Sequence, residues 1–360
     1  MGDRTDISWT QTVNPDGSTT PGATWNIVSG CTKLTAECKH CYVERDWHRL
    51  THLPAYTGRE FTDIACHHDR LDQPLRWRRP RRIFPCSTSD LFHPNVPDAF
   101  LDQAFGVMAL CPQHTFLVLT KRADRMQAYL SAPGRREAIA KAAKGFRANH
   151  PLDHWEHAEG FAAVEHRGNS DENTTWLPRW PLRNVHVGVT AGTQETANQR
   201  IPLLLKTPAA KHWVSIEPLL ESIDLLATPA GDILCRCEGC LNTTPDTRLD
   251  WVVVGGESGH QARPMHPEWA RSLRDQCKTA GVPFFFKQHG EWTAIDPLDW
   301  DGKSKCIMVR RDGRAYLPEG KRLPEMILDC QGREWACMAR LGRKVTGDRL
   351  DGLEHKAVPC

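Results

Sequence analysis

The chain has 360 residues, 40% of them hydrophobic and 25% charged, with a formal net charge of +2 at neutral pH. That is the composition of an ordinary soluble globular protein with room for one large domain or two modest ones, and no apolar run approaches the length of a membrane span. So small a net charge singles out no partner, and any grip on nucleic acid must come from a local basic patch.

The opening residues, Met1 to Asp6, are polar and lack the apolar core of a signal peptide. The expected compartment is the cytoplasm, where the 14 cysteines are thiols or metal ligands rather than structural disulfides. Apolar runs at 24–28, 82–85, 116–120, 185–189, 212–216, 251–254 and 282–286 predict buried strands. Their hydrophobicity is continuous rather than alternating, which suits a parallel sheet covered on both faces. Helical patterns fall between several of them. One spans 97–108 with Pro97 and Asp98 at its start, and one spans 193–205 with Thr193 as its cap. The third spans 267–280 and stops before Gly281.

This alternation predicts an α/β fold, a partial or full parallel β/α barrel over residues 1–292, with insertions near 132–181 and 228–249. Residues 293–360, rich in charge, Gly and Pro, are expected to form a small C-terminal appendage. In such folds ligands sit at the carboxyl ends of the strands. Here those ends carry Ser29-Gly30-Cys31, Ser87 to Asp90, Thr120-Lys121-Arg122, Thr190, Glu217 and Gly255 to Ser258.

Cys31, Cys38 and Cys41 follow the first strand with spacing C-x6-C-x2-C. Three thiolates on one loop can bind three irons of a [4Fe–4S] cubane and leave the fourth without a protein ligand. S-adenosylmethionine (SAM) can chelate that iron through its amino and carboxylate groups, and an electron from the cluster can then break its sulfonium bond. Two other readings stand beside this one. A structural zinc site would need His40 or a distant fourth ligand, and unrelated core thiols would not need the tight C-x-x-C.

The cysteine loop followed by Tyr42 resembles the radical-SAM superfamily. More narrowly, the chain resembles a phage-associated, radical-SAM-like family of poorly defined function, whose three-cysteine-motif proteins are often encoded beside a partner protein. The matching pieces run in order from Thr24-Trp25-Asn26 and Gly30-Cys31-Thr32 through Ser89-Asp90-Leu91-Phe92, Leu119 to Arg122 and Ser215 to Leu219 to Gly255 to Gly259 and Phe286-Lys287-Gln288. The resemblance implies a partial β/α barrel, SAM cleavage to a 5′-deoxyadenosyl radical, and a protein that delivers the electron. The first gap is longer than the superfamily's usual C-x3-C, so its rules for residues inside that gap do not carry over; lengthening a loop costs little.

At the corresponding strand end the superfamily commonly contacts the SAM amino group, which makes Ser89 and Asp90 cofactor-binding candidates. Lys121 and Arg122 end the third strand, and Lys121 is a candidate for the SAM carboxylate or a substrate phosphate, against a solvated pair at a helix entry. Glu217 is a candidate for the SAM ribose, against a salt bridge to a neighbouring Arg or Lys. Glu257, in a glycine-rich turn that is not a dinucleotide fingerprint, is the catalytic candidate on the substrate side.

Two further clusters stand out. Cys235, Cys237 and Cys240 suggest zinc with a remote fourth ligand, a second iron–sulfur cluster, or a reduced thiol-rich loop. The run Arg76-Trp77-Arg78-Arg79-Pro80-Arg81-Arg82 is a candidate grip on a phosphate backbone, against a solvated face. Together these features point to a radical-SAM enzyme acting on an unknown substrate, with a nucleobase or modified DNA base preferred. The alternative is a non-catalytic zinc protein that binds nucleic acid or a partner.

Overall fold

The computed structural model describes residues 4–14, 16–54, 56–149, 161–165, 174–234, 248–300, 302–316 and 334–359. Seven parallel strands arise from the seven apolar runs. They are β1 (Ala23–Trp25), β2 (Arg82–Pro85), β3 (Thr115–Thr120), β4 (Val185–Thr190), β5 (Lys211–Ile216), β6 (Trp251–Gly255) and β7 (Phe284–Gln288). The last begins two residues later than its apolar run, because Pro283 has no N–H to give a sheet and only accepts, from Val252 N. The first run also splits. The chain leaves β1 at Asn26, and Val28–Ser29 pairs instead with Ala65–Cys66 in a short antiparallel ladder.

Among the described residues, the longer helices that connect or follow these strands are α1 (Asp98–Ala109), α2 (Ala123–Leu130), α3 (Arg135–Asn149), α4 (Gln194–Leu205) and α5 (Pro267–Ala280). Helix α5 shows both of its ends in chemical terms. His266 Nδ1 accepts from Glu268 N at the start, and Gly281, at φ 65°, closes the last turn in the left-handed region.

The strand order is β7-β6-β5-β4-β3-β2-β1. Each strand lies beside its neighbour in the sequence, as in singly wound β/α repeats, with no switch point of the doubly wound kind. The sheet has two ends, so a fully closed barrel is not formed.

The chain divides into two compact units. The first comprises Met1–Thr32, Asp46–Val189 and Leu203–His212; the second comprises Lys33–Arg45, Thr190–Pro202 and Trp213–Cys360. In the first, Trp25 and Phe116 are fully buried with ring centroids 5.8 Å apart. In the second, Trp213 and Trp251 on paired strands are buried with centroids 5.3 Å apart. Each such ring removes a large apolar area from water, stabilising its unit by about 1.5–3 kcal/mol or more.

The predicted appendage contains an antiparallel sheet of β8 (Trp292–Ala294), β9 (Cys306–Arg310), β10 (Ala315–Tyr316) and β11 (Trp335–Arg340), in the order β8-β11-β9-β10. Cys306, Met308 and Cys337 form its buried centre, with Trp300 and Trp335 packed against them. The chain's last segment then returns to β7. Phe286 N donates to His355 O over 2.8 Å, and Lys356 Nζ donates to Phe286 O over 3.1 Å.

In the first insertion the basic helical piece is α3, and part of the expected loop is a hairpin of Phe161–Glu165 with Thr174–Pro178. Cys235, Cys237 and Cys240 lie outside the described residues. Among the described residues, no helix is long and apolar enough to cross a membrane.

Candidate functional site

In the first unit, Gly30 leads the chain from the Val28–Ser29 strand into the cysteine loop. Its φ is 82°, and a Cβ there would run into the Asp63 carbonyl, so only glycine fits. Gly30 bridges to Ser89 in parallel, and Ser89 Oγ donates to Val28 O over 2.8 Å. Ser89 thus stands beside the loop but its hydroxyl fastens backbone. Cys31 N donates to Phe61 O over 2.9 Å.

Arg122 follows Lys121 at the end of β3 and turns inward, where only 6% of its side chain is exposed. Its Nη1 donates to Asp90 Oδ2 over 3.0 Å and lies 3.8 Å from Cys31 Sγ; its Nη2 donates to Thr32 Oγ1 over 2.9 Å and to Thr32 O over 3.1 Å. Asp90 also accepts from Thr120 Oγ1, Phe92 N and Lys121 N. Four donors therefore occupy its two oxygens, and Asp90 acts as the post that fixes Arg122. His93 completes the group. Its Nδ1 accepts from Asn95 N, so the neutral ring carries its proton on Nε2, 3.0 Å from Thr32 Oγ1. Burial, with the Arg122 charge nearby, holds His93 below the ordinary histidine range.

Lys121, the neighbouring candidate, is half-buried. Its backbone N–H joins the Asp90 group, but its ammonium makes no ion pair with a described residue.

The second unit holds the rest of the loop. Cys38 closes the short turn Ala36–Cys38, and Cys41 directly precedes the helical turn Tyr42–Arg45. Between the cysteines the chain is fastened by two carboxylates. Glu37, whose side chain is 0% exposed, accepts from Gly192 N over 2.9 Å, from Thr196 Oγ1 over 2.7 Å and from Arg200 Nη1 over 3.4 Å. Arg200 also donates to Thr190 O and Thr35 Oγ1. Burial alone would raise the Glu37 carboxyl. Hydrogen bonds from Thr35, Gly192 and Thr196, with the Arg200 charge, outweigh it and hold the group below the usual carboxylate range. Gly192 is required here: a Cβ would run into the Pro218 carbonyl and sit 2.6 Å from Glu37 Cγ.

Glu257 is the second fastening. Arg263 grips it with N, Nε and Nη2 at 2.7–2.8 Å, and His40 Nδ1 lies 3.3 Å from Oε2. Arg263 Nη2 also donates to Ala36 O over 2.9 Å. Burial pushes the Glu257 carboxyl up, but the Arg263 hydrogen bonds and charge pull it down further. Glu217, at the end of β5, is paired too. Lys287 Nζ donates to both of its oxygens at 2.7 and 2.9 Å, and Gln288 Nε2 links Glu217 to Ser258.

Each of the three carboxylates nominated by the sequence is therefore matched by a basic residue: Asp90 by Arg122, Glu217 by Lys287 and Glu257 by Arg263. The sequence reading missed Arg122, Glu37, Arg200 and Arg263. For Arg122 a signal was present, since it stands next to Lys121 at a strand end. For Glu37 there was none beyond its position inside the motif.

The thiols of Cys31, Cys38 and Cys41 are partly exposed, whereas Cys86, Cys111 and Cys277 are buried. Burial pushes Cys86 and Cys277 up to about 12, which makes them inert. The loop thiols are thus soft metal donors within reach of solvent, with a guanidinium beside one of them. Among the described residues, no three His, Cys, Asp or Glu side chains are already gathered as a metal cage.

No curated protein and no solved structure matches the chain. One family model, described as a protein of unknown function (DUF5131), matches residues 4–359. With nearly its whole length matched, the chain belongs to the DUF5131 family.

Proposed function

We propose that the chain is a radical-SAM enzyme whose [4Fe–4S] cluster is held by Cys31, Cys38 and Cys41, on a partial β/α barrel. The observation that carries this reading is the fastening of the cysteine loop. Buried ion pairs desolvate charge at a cost of several kcal/mol per ion. Three carboxylate–arginine pairs, Asp90–Arg122, Glu37–Arg200 and Glu257–Arg263, nonetheless hold residues of this loop. A loop that contributed only to packing would not need them.

When bound, the cluster would supply one electron that breaks the sulfonium bond of SAM, leaving a radical able to take a hydrogen atom from a substrate. The chain's own residues do the rest. Arg122 places a guanidinium 3.8 Å from the Cys31 sulfur, where it faces the charge of a cluster-bound thiolate. Lys121, unpaired among the described residues, is the cation we assign to the SAM carboxylate. Glu257 holds the loop through Arg263 and His40, and the Glu217–Lys287 pair is assigned to the SAM ribose. Ordering of the three sulfurs and uptake of the cluster are one event in this reading. A separate protein donates the electron. The substrate class we put forward is a nucleobase, unpaired or flipped out; the arginines of residues 76–82 favour it. Zinc is assigned to Cys235, Cys237 and Cys240.

Anaerobic purification, metal and sulfide analysis, and reaction with dithionite and SAM test the proposal together. The expected result is about four iron and four sulfide per chain, with release of 5′-deoxyadenosine that Cys38→Ala abolishes. Zinc in place of iron at the loop, or a reduced cluster that forms no 5′-deoxyadenosine, would overturn it. Zinc in place of iron would leave the reading as an interaction protein.

A further inference from the structure

The arginine run does not lie at the strand ends that carry Ser89, Asp90 and Lys121. It precedes β2, so it sits where the parallel strands begin. The register defines that edge. Arg82 pairs with Thr115, Phe116 pairs with Val185, and Phe116 N donates to Asn184 O. Residues 82, 115 and 184 thus form a row, with Arg81 and Arg183 one residue outside it. Thr115 and Lys121 are separated by the whole of β3, about 20 Å at 3.3 Å per residue.

The segments that lead into β2, β3, β4 and β5 at this edge are 73–81, 111–114, 179–184 and 206–211. They contain Arg76, Arg78, Arg79, Arg81, Arg179, Arg183, Lys206 and Lys211, and no Asp or Glu. Arg76 is matched by Asp72, and Arg81 lies over the Trp77 ring at 4.9 Å. Trp77 is in turn packed against the buried His114, ring centroids 6.2 Å apart. Arg78, Arg79, Arg183 and Lys206 are exposed and pair with no described residue. Neighbouring strands are about 4.8 Å apart, so β2 and β4 deliver their cations roughly 10 Å from one another. A solvated face ordinarily mixes both signs of charge. One sign, spread along a sheet edge, matches a polyanion.

We propose that this edge of the first unit binds the phosphate backbone of a nucleic acid. The contact reads charge and not sequence, and it lies at the opposite end of the strands from Ser89, Asp90 and Lys121. A strand held there is tethered as a whole rather than by a reacting base. The proposal rests on topology and charge alone, so it stands or falls apart from the cluster.

The test is fluorescence anisotropy of labelled single-stranded and duplex DNA oligonucleotides with the full chain, from low to moderate salt. Wild type should bind at low salt, with affinity falling steeply as salt rises. Combined charge reversal by Arg78→Glu, Arg79→Glu, Arg183→Glu and Lys206→Glu should weaken binding at low salt about tenfold or more and flatten the salt slope. The neutral pair Arg78→Gln with Arg79→Gln should show a smaller loss in the same direction, and serves if the fourfold variant fails to fold. Reversal of two exposed cations in the second unit, Arg343→Glu with Lys344→Glu, should leave binding within about twofold of wild type. Iron content, measured in parallel, should match wild type in all variants. No binding by wild type at low salt, unchanged binding by the edge variants, or an equal loss from the Arg343/Lys344 pair would each overturn the proposal. So would capture of the chain by anionic lipid vesicles with none by DNA.

Discussion

Arg122 and Cys31 are coupled through a buried carboxylate: the guanidinium that lies 3.8 Å from the sulfur is held at 3.0 Å by Asp90, and both charged side chains are under 10% exposed. Removing the arginine strands a buried carboxylate, which in other proteins costs about 3–5 kcal/mol. Arg122→Met should therefore lower the urea midpoint sharply and deplete iron. Arg122→Lys, which keeps the charge but not the fork, should recover much of the stability and less of the iron. Equal iron in all three proteins would remove Arg122 from the site.

Gly192 is the tightest point of the second unit's hold on the loop. Gly192→Ala puts a methyl group against the Pro218 carbonyl and Glu37 Cγ, so backbone must move. The expected cost is about 1–3 kcal/mol. Glu37→Gln keeps the shape but removes the charge facing Arg200 and should cost about as much. Chemical denaturation of both variants checks this, and a Gly192→Ala midpoint equal to wild type would sink it.

Glu257 and Lys121 separate holding from binding. With both oxygens gripped by Arg263 and the carboxyl held low, Glu257 is placed to hold the loop rather than to exchange a proton, and general acid–base residues contribute about 10²–10⁴-fold. Glu257→Gln should therefore keep 5′-deoxyadenosine formation within about tenfold of wild type. Lys121→Ala should weaken SAM binding, read by equilibrium dialysis, by about tenfold or more, as expected for one charge-assisted hydrogen bond. A hundredfold loss in the glutamine variant with none in Lys121→Ala would reverse the two roles.

His266 makes stability depend on pH. Burial pushes its pKa down to about 4, with Arg271 and Arg311 acting in the same direction and Glu268 opposing. Its Nδ1 caps α5 by accepting from Glu268 N, which a protonated ring cannot do. The unfolded chain, at the ordinary value of 6.5, takes up the proton first. Stability is therefore full above about 6.5 and is lost as pH falls from there toward 4. Urea midpoints across that range should drop, and His266→Asn, a cap that does not titrate, should flatten the drop. An unchanged slope would assign the pH dependence elsewhere.

The strands and helices were legible because each announces itself locally. Phe116 to Thr120 and Trp251 to Val254 are continuous apolar runs, and Pro267 to Gly281 carries its own start and stop. The appendage was expected but its strands were not legible, since β9 and β11 find each other across 31 residues at Cys306 and Cys337. The motif cysteines are visible as spacing. Their supports are not: Glu37 meets Arg200 across 163 residues and Ala36 meets Arg263 across 227. For the same reason Asp90 and Glu257 looked like open ligands, and the salt bridge weighed for Glu217 had no named partner until Lys287 supplied it. A carboxylate at a strand end reads the same whether or not a cation waits for it elsewhere in the chain.

The return of His355 and Lys356 to β7 matters beyond the site. Strand β7 is the last of its sheet and carries Phe284, Phe285 and Phe286 in succession. Uncovered, such an edge offers unpaired backbone and three aromatic rings to any other chain, the template from which aggregates grow. The final residues lie across it like a seam allowance, and a chain clipped before His355 should fold its sheet and still precipitate.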